Sequence, residues 1–428
     1  MLDNLMVGAV GTSTMTGVAV ANQLIFIFNL CIYGAISGVG IFTAQFFGKG
    51  DNAGVRYTFR FKMIICFVTT ILFTALIIIK GDLLLGLFLK GEGRPEDAAA
   101  SARIARDYIN IILIGILPCA LTQCFGSTLR ETGRPKTPMY AGILAVFLNL
   151  ILNYMLIFGR LGFPRMGARG AATATVISRF AELFYVVAAT YIGKKSAFIR
   201  GAFRSMRVPL KLVGNMAVRG MPLMLNELLW SLGIVTVNQC YSLRGLDVVA
   251  ADNIALTFFN LFSVVFMSVG VAIGIIVGQM LGAGKTGEVM DTAVKMRVFS
   301  VLAAVIVGVI LASLSGVIPM MYNTTAEVRH IAGWMIILCA AGMPIDAFAH
   351  ASYFTLRSGG KIIITMIFDS FFVWLVSVPF AFVISRYTAM PIIPFFALSQ
   401  ALNIIKCVLG YFYVKKGSWI KNLVGNES

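Results

Sequence analysis

The sequence predicts an all-α polytopic membrane protein made of two related six-helix bundles, with the first helix truncated. Of its 428 residues, 59% are hydrophobic and only 12% are charged, and the mean hydropathy is +0.88. This apolar share is well above that of ordinary soluble domains. Apolar windows of about 20 residues, the length that crosses a bilayer core, recur along the chain, and the two halves of the chain resemble each other.

Eleven complete membrane spans are predicted, separated by polar or Gly/Pro breaks. A twelfth is represented only by MLDNLMVGAV, residues 1–10, which is too short to span and lacks the pattern of a signal peptide. We interpret it as the end of a first helix whose beginning is missing. The approximate limits of the complete spans are residues 14–44, 57–80, 105–129, 137–159, 167–192, 214–240, 248–280, 296–320, 328–356, 362–385 and 391–414.

The distribution of basic residues predicts the topology. When residues 1–10 count as the first span, the loops after even-numbered spans and the C-terminal tail carry roughly twice as many Lys and Arg as the other loops. Arg56, Arg60 and Lys62 are counted among these loop residues. The positive-inside rule then places the tail and the basic connection at 194–213 in the cytoplasm. The net charge of +17 is spread over many connections, which argues against a nucleic-acid partner.

Two pairs of segments repeat in the same order in both halves. GIFTAQFFGKGD (40–51) matches GIIVGQMLGAGK (274–285), and PCALTQCFGSTLRETG (118–133) matches PIDAFAHASYFTLRSGG (344–360). A repeat at half the chain length is typical of transporters built from two related lobes. The predicted organisation is an N-terminal bundle (1–193), a cytoplasmic linker (194–213), a C-terminal bundle (214–415) and a cytoplasmic tail (416–428).

Enzyme and metalloprotein classes are not supported by the motifs. The sequence contains no HExxH, no GxxxxGK[ST] and no GxSxG, and its seven cysteines lie inside apolar spans without metal-ligand spacing. We therefore predict no enzymatic activity and no cofactor. Without a nucleotide-binding segment, any active transport must use an ion gradient.

One span holds an unusual pair of ionisable residues, Asp346 and His350. A charge near the bilayer centre costs about 2.5–3.5 kcal/mol even on the most permissive scale, and such residues are usually functional. At positions i and i+4 the two side chains lie on one helix face, where they can hold a proton or a hydrated cation. The alternative is a structural hydrogen-bonded pair between packed helices. The matching segment of the first half lacks both residues.

Two further ionisable pairs are predicted to be structural. Arg179 and Glu182 are three residues apart, a spacing that allows them to neutralise each other on one helix face. Asp369 and Lys406 lie in neighbouring spans and can pair between them.

Taken together and in order, several segments resemble the multidrug and toxic compound extrusion (MATE) exporters over nearly the whole chain. Family members begin with a complete first span, from which this sequence departs. The matching segments are LDNLMVG (2–8), VANQLIFIFNLCIYGAISGVGIFTAQFFGKGD (20–51), GSTLRETGRPKTPMYAGILAVFLNLILNYMLIFG (126–159), GARGAATATVISR (167–179), RGMPLMLNELLW (219–230) and TLRSGGK (355–361).

The resemblance implies a secondary active exporter of organic cations or other amphipathic compounds, driven by Na⁺ or H⁺ through alternating access. It also implies a multi-pass protein of the cell membrane, expected to be a monomer with small-molecule substrates and the lipid bilayer as its partners. Two alternatives stay open: a lipid-linked oligosaccharide flippase of the same superfamily, and an inactive truncated transporter.

The resemblance further implies the residues of the site. Asp346, Glu227 and Asp3 match positions that bind the coupling cation, and a Na⁺ ion at Asp346 and Glu227 is the only metal expected. Glu227 has a structural acid as its alternative. The supporting polar residues are His350, Asn149, Asn153, Gln23 and Asn253. The Asn149 and Asn153 amides, four residues apart, are also typical of hydrogen bonding between membrane helices.

Overall fold

The computed structural model describes residues 6–8, 11–89, 95–192 and 197–425. In this part of the chain, eleven helices are long and apolar enough to cross a membrane, and the predicted all-helical membrane fold is confirmed. They are α1 Thr12–Lys49, α2 Asn52–Leu89, α3 Pro95–Glu131, α4 Lys136–Phe158, α5 Ala168–Ile192, α6 Leu210–Ser242, α7 Leu246–Gly282, α8 Thr286–Ser313, α9 Ala326–Ser358, α10 Ile362–Tyr387 and α11 Ile392–Lys415.

The N-terminal segment is described only in part. Residues 6–8 are helical, whereas residues 1–5 and 9–10 lie outside the described part of the chain. The candidate residue Asp3 belongs to the latter group, so its placement stays a prediction.

Several helices extend well beyond the predicted spans. Helices α1 and α2 each contain 38 residues, which at 1.5 Å per residue corresponds to about 57 Å, against about 30 Å for a bilayer core. Helix α8 begins at Thr286, ten residues before the predicted span at 296. Hydropathy misses the start of α8 because the segment TGEVMDTAVK (286–295) is largely polar although its backbone is helical.

The sequence repeat is also a repeat of backbone conformation. Gly50 and Gly284, near the end of the first repeated segment in each half, have φ values of 79° and 75°. Gly133 and Gly360, the last residues of the second repeated segment in each half, have φ values of 74° and 75°. A left-handed residue after a helix is most readily a glycine. Both halves therefore end equivalent helices in the same way.

By internal contacts the chain divides into two compact units. Unit 1 consists of residues 1–43 and 52–224, and unit 2 consists of residues 44–51 and 225–428. The borders between the units fall inside helices and so differ from the predicted linker at 194–213. The end of α1, from residue 44, belongs to unit 2, and α6 begins in unit 1 and ends in unit 2. Within unit 2, α9 packs along both α7 and α8.

In unit 2 the two copies of the first repeat pack directly on each other. A Cβ atom on Gly48 would overlap the backbone carbonyl of Gln279, and a Cβ atom on Gly282 would overlap the backbone carbonyl of Gln45. The contact is reciprocal, since Gly48 corresponds to Gly282 and Gln45 to Gln279 in the repeat. The repeated glycines are therefore explained by close helix approach, the role of small residues in membrane helix packing.

The Gln45 side chain also holds the C-terminal segment of unit 2. Its amide nitrogen donates to the carbonyls of Ser358 at 3.0 Å and Lys421 at 3.3 Å, and its carbonyl oxygen accepts from the Leu423 amide at 2.7 Å. Trp419 of the same segment is fully buried. The C-terminal segment is thus an integral part of unit 2.

We expect Gly282→Ala to lower the free energy of unfolding by about 1–3 kcal/mol, the usual cost of overpacking. The added methyl group would overlap the backbone of Gln45, and backbone atoms cannot move aside as the end of a flexible side chain can. The measurement is thermal unfolding of the purified protein in detergent. Gly287→Ala is the matched control, because its Cβ meets open space, and it should be neutral or slightly stabilising. Equal stability of the two variants would contradict the packing argument.

Unit 1 contains a buried ion pair between α2 and α3. Lys62 is fully buried, and its ammonium group contacts the Glu131 carboxylate and donates to the Ser127 hydroxyl at 3.0 Å. The sequence-based assignment of Lys62 to a loop was wrong. Helix α2 begins at Asn52, so the segment that carries this lysine packs inside the unit.

Candidate functional site

Unit 2 contains a cluster of ionisable side chains contributed by four helices. Helix α6 provides Glu227, α9 provides Asp346 and Arg357, α10 provides Asp369, and α11 provides Lys406. Four of these residues are half-buried, and Arg357 is 3% exposed. We call this set the unit 2 cluster. His350 lies beside it on α9.

Asp346 is held by α11. Its carboxylate accepts a hydrogen bond from the Asn403 amide at 3.0 Å, and the Lys406 ammonium group is close enough to interact with it electrostatically. Both partners come from one face of α11, at positions three residues apart. The sequence identified Asp346 but not Asn403, whose amide is unremarkable without knowledge of the packing.

His350 does not pair with Asp346. In the part of the chain that the structure describes, no hydrogen bond joins the two, and the Nδ1 atom of His350 is buried without a partner. The imidazole ring instead packs against aromatic rings, stacked on Phe354 at 5.9 Å and edge-on to Phe266 at 6.1 Å. The two residues share a helix face, as the spacing predicts, but interact with different neighbours.

Asp369 lies in an irregular part of α10. The segments Ile367–Phe371 and Val373–Ser377 are π-helical, a conformation that is rare and often found at functional sites. The Asn226 amide, which is fully buried, donates to the Asp369 carboxylate at 2.7 Å. The predicted pairing with Lys406 is not an ion pair within 4 Å among the described residues. The Lys406 ammonium group lies over the Phe372 ring at 4.9 Å and interacts with Asp369 only at longer range.

Glu227 lies close to Arg357, and 3.9 Å separate the Glu227 carboxylate oxygen from the Arg357 guanidinium nitrogen. Arg357 also donates to the Tyr353 hydroxyl at 3.2 Å and lies over the ring of Phe354. Glu227 is in electrostatic range of Asp369. The acid predicted in α6 is therefore part of the cluster, and Asp369 interacts electrostatically with Lys406 as well as with Glu227.

The charges of the cluster do not balance. It contains three carboxylates, those of Glu227, Asp346 and Asp369, and two bases, Arg357 and Lys406. With every group in its usual ionised form and His350 neutral, the net charge is −1. A buried site with one excess negative charge binds a single cation favourably, because desolvated charge is costly unless it is compensated.

The described residues contain no group of three or more His, Cys, Asp or Glu side chains close enough to hold a metal ion. A Na⁺ ion shared by Asp346 and Glu227 therefore stays a prediction. Any cation at the cluster would have to use amide, hydroxyl or backbone oxygens beside the carboxylates, as hard cations commonly do.

A further buried acid, Asp252, was missed from the sequence. It lies near the start of α7, is 6% exposed, and its Oδ1 atom has no hydrogen-bond partner. The signal was present, since any acid inside an apolar span invites explanation. Its neighbour Asn253, which the resemblance assigned to the site, is exposed, and its backbone carbonyl accepts from the Thr257 hydroxyl.

The candidate residues of unit 1 that the structure describes are amides. Asn153 is fully buried and donates to the Asn149 carbonyl oxygen at 3.0 Å, while Asn149 donates to the Thr175 hydroxyl at 3.3 Å. This network joins α4 and α5. It fits hydrogen bonding between membrane helices as well as a supporting role in the site. Gln23 is exposed on α1. The predicted Arg179–Glu182 pair is confirmed at 2.9 Å on α5.

Known structures share the fold. An outward-facing multidrug resistance MATE family transporter of the MOP superfamily superposes with a TM-score of 0.86 at 16% identity, over 97% of this chain and 91% of that chain. A MOP superfamily transporter from Pyrococcus furiosus, described as having a binding pocket of reversed polarity, superposes with a TM-score of 0.82 at 16% identity, over 98% and 91% of the two chains.

Relatives are recognisable in sequence as well. The probable multidrug resistance protein NorM of Thermotoga maritima is 26% identical over 99% of this chain and 89% of its own length. The probable multidrug resistance protein YoeA of Bacillus subtilis is 26% identical over 94% of this chain and 86% of its own length. The MatE family model matches residues 1–155 and 222–383, well over half of the sequence. The chain therefore belongs to the MATE family, and it is a multi-pass membrane transporter rather than an enzyme.

Proposed function

We propose that this chain exports amphipathic or cationic compounds across the cell membrane in exchange for Na⁺ or H⁺. The observation that carries the proposal is the unit 2 cluster, in which three half-buried carboxylates face two bases within a membrane-spanning bundle. The multidrug resistance names of its relatives support the same substrate class.

The excess negative charge supplies the coupling. One bound cation makes the cluster neutral, and an organic cation offers the same compensation, so that ion and substrate compete for the site. A gradient drives export when the coupling ion and the substrate prefer different states of the protein. At 100 mV, one elementary charge moving inward supplies about 2.3 kcal/mol. At about 1.4 kcal/mol per factor of ten, this corresponds to a roughly fiftyfold bias.

In this proposal, the coupling ion binds at Asp346. Its carboxylate is half-buried, and its direct hydrogen bond comes from a neutral amide, Asn403. Glu227, by contrast, faces the guanidinium group of Arg357. Lys406 interacts with Asp346 but forms no ion pair with it within 4 Å among the described residues, so Asp346 keeps more of its charge available to an ion. We also propose that the chain functions as a monomer and that its C-terminus lies in the cytoplasm.

The test is ethidium efflux from energised cells that express the chain, both as the 428-residue form and as a form extended upstream through a complete first helix. We expect efflux above vector controls that stops when ionophores collapse the ion gradients. Separate collapse of the Na⁺ and H⁺ gradients identifies the coupling ion. If neither form exports any cationic dye, the drug-exporter proposal is contradicted and the flippase alternative is favoured.

A further inference from the structure

A basic cavity lies in unit 1, apart from the unit 2 cluster. Its volume is about 370 Å³, within the size range of small-molecule sites. It is lined by the start of α2 and by the connection that leads to α6. The lining residues are Ala53, Arg56, Tyr57, Arg60, Arg200, Gly201 and Arg204. Four arginines therefore surround one cavity, which we call the arginine pocket.

The walls of the pocket are fixed by packing. Phe198 and Ile199 of the connection are buried, and the Phe198 ring contacts Phe59 of α2 at 5.6 Å. Short helical turns at Ala197–Ile199 and Ala202–Arg204 keep the connection compact. The connection is thus an ordered segment that forms one wall of the cavity.

One arginine holds this wall in place. Arg60 is 9% exposed, and its guanidinium group donates to the backbone carbonyls of Ala202 at 2.7 Å, Gly201 at 2.9 Å and Arg207 at 3.1 Å. Arg56 likewise donates to the Arg200 carbonyl at 3.1 Å. Backbone carbonyls satisfy hydrogen bonds but carry no net charge, so the positive charge of both arginines remains uncompensated by these contacts.

The remaining two arginines are free to reach a ligand from the rim. Arg200 and Arg204 are exposed, and no acidic side chain is among the described residues that line the cavity. Four like charges around one space repel each other, and an anion relieves this repulsion. Guanidinium groups bind phosphate in bidentate geometry, which makes a phosphate ester the preferred anion.

The surroundings of the pocket favour a lipid as the source of that phosphate. The connection and the first residue of α6 expose large apolar side chains: Phe203 is 48% exposed, Met206 is 42% exposed and Leu210 is 86% exposed. An apolar surface beside a cationic cavity, next to the start of a membrane-spanning helix, fits a molecule with a charged headgroup and acyl chains. Basic pockets at membrane-facing sites bind such headgroups.

We propose that the arginine pocket binds the phosphate headgroup of an anionic phospholipid. The lipid phosphate would contact Arg200 and Arg204 at the rim, while Arg60 and Arg56 supply positive charge from the wall. Binding would secure the connection between α5 and α6 at the membrane surface. Free phosphate offers the same chemistry, and the experiment distinguishes the two sources.

The test measures binding of acyl-labelled phosphatidylglycerol to the purified full-length chain in detergent, with phosphatidylcholine or inorganic phosphate as competitor. We expect phosphatidylglycerol to bind, phosphatidylcholine to compete weakly, and Arg200→Gln/Arg204→Gln to raise the Kd roughly thirtyfold, since two phosphate-facing charges are lost. Neither substitution alters the backbone carbonyls that hold the wall, so the fold should be retained, which thermal unfolding verifies.

Arg207→Gln is the matched control. It removes one charge from the same exposed connection, whereas the double variant removes two, and Arg207 does not line the cavity. A Kd changed less than twofold supports the pocket, whereas an increase of about fivefold, half of the double variant's effect on the binding free energy, would reduce the proposal to general surface charge and overturn it. Equal binding of phosphatidylglycerol and phosphatidylcholine would also overturn it. Competition by millimolar inorganic phosphate as strong as that by the lipid would keep the phosphate site but contradict the lipid source.

Discussion

Asp346→Asn is expected to abolish ion-driven export of ethidium while leaving the fold intact. The substitution removes the excess negative charge of the unit 2 cluster, so the empty site is already neutral and an incoming cation gains nothing there. The loss of coupling should reach the full bias of the membrane potential, roughly fiftyfold at 100 mV for one charge. An asparagine at this position still offers an oxygen to the Asn403 amide, which accounts for the retained fold.

The measurement is the initial rate of ethidium efflux at matched expression, with thermal unfolding as the check on folding. Asp346→Glu keeps the charge and should retain part of the activity. Asp291→Asn is the matched control, because this acid of α8 pairs with Lys295 while 65% of its side chain is exposed. Gradient-driven efflux at the normal rate in folded Asp346→Asn would show that the excess charge does not drive coupling.

The second large effect concerns stability in unit 1. Lys62→Met should lower the free energy of unfolding by about 3–5 kcal/mol, because it removes the ammonium group that contacts the buried Glu131 carboxylate. The carboxylate is nearly inaccessible, with 8% of the side chain exposed, so water does not replace the lost partner. Thermal unfolding in detergent measures the change.

The double variant Lys62→Met/Glu131→Gln separates the ion pair from simple packing. Removing both charges removes the buried carboxylate together with its partner, and well-packed neutral replacements of buried ion pairs are often tolerated. We expect the double variant to recover most of the stability that Lys62→Met loses. A double variant as unstable as the single one would show that the lysine acts through its shape or its contacts with Ser127 and Thr128 rather than through its charge.

The sequence was sufficient for the architecture, because the signals that set it are local. A bilayer selects helices of apolar residues, so hydropathy locates the spans, and the repeated glycines mark both helix ends and close helix contacts. Gly48 and Gly282 illustrate the second point, since their positions in the repeat are visible from the sequence while their reciprocal packing is not.

Residues that depend on contacts between distant segments were harder to assign. Asp346 was identified from its own position in a span, but its partner Asn403 lies 57 residues away. Asp369 was expected to pair with Lys406, whereas its carboxylate accepts a hydrogen bond from Asn226, which lies 143 residues away. Lys62 lies inside the span predicted at 57–80 but was counted with the loop residues, and the structure places it in α2, where it is buried.

The charge account of the unit 2 cluster is tested most directly by ethidium transport in proteoliposomes that contain only the purified chain. Transport is measured under an imposed Na⁺ gradient, an imposed H⁺ gradient and no gradient, for the wild type, Asp346→Asn and Asp369→Asn. The account predicts that one of the gradients accelerates wild-type transport and that either substitution, by removing the excess charge, eliminates this acceleration. Equal acceleration in the wild type and in folded, dye-binding variants would contradict it.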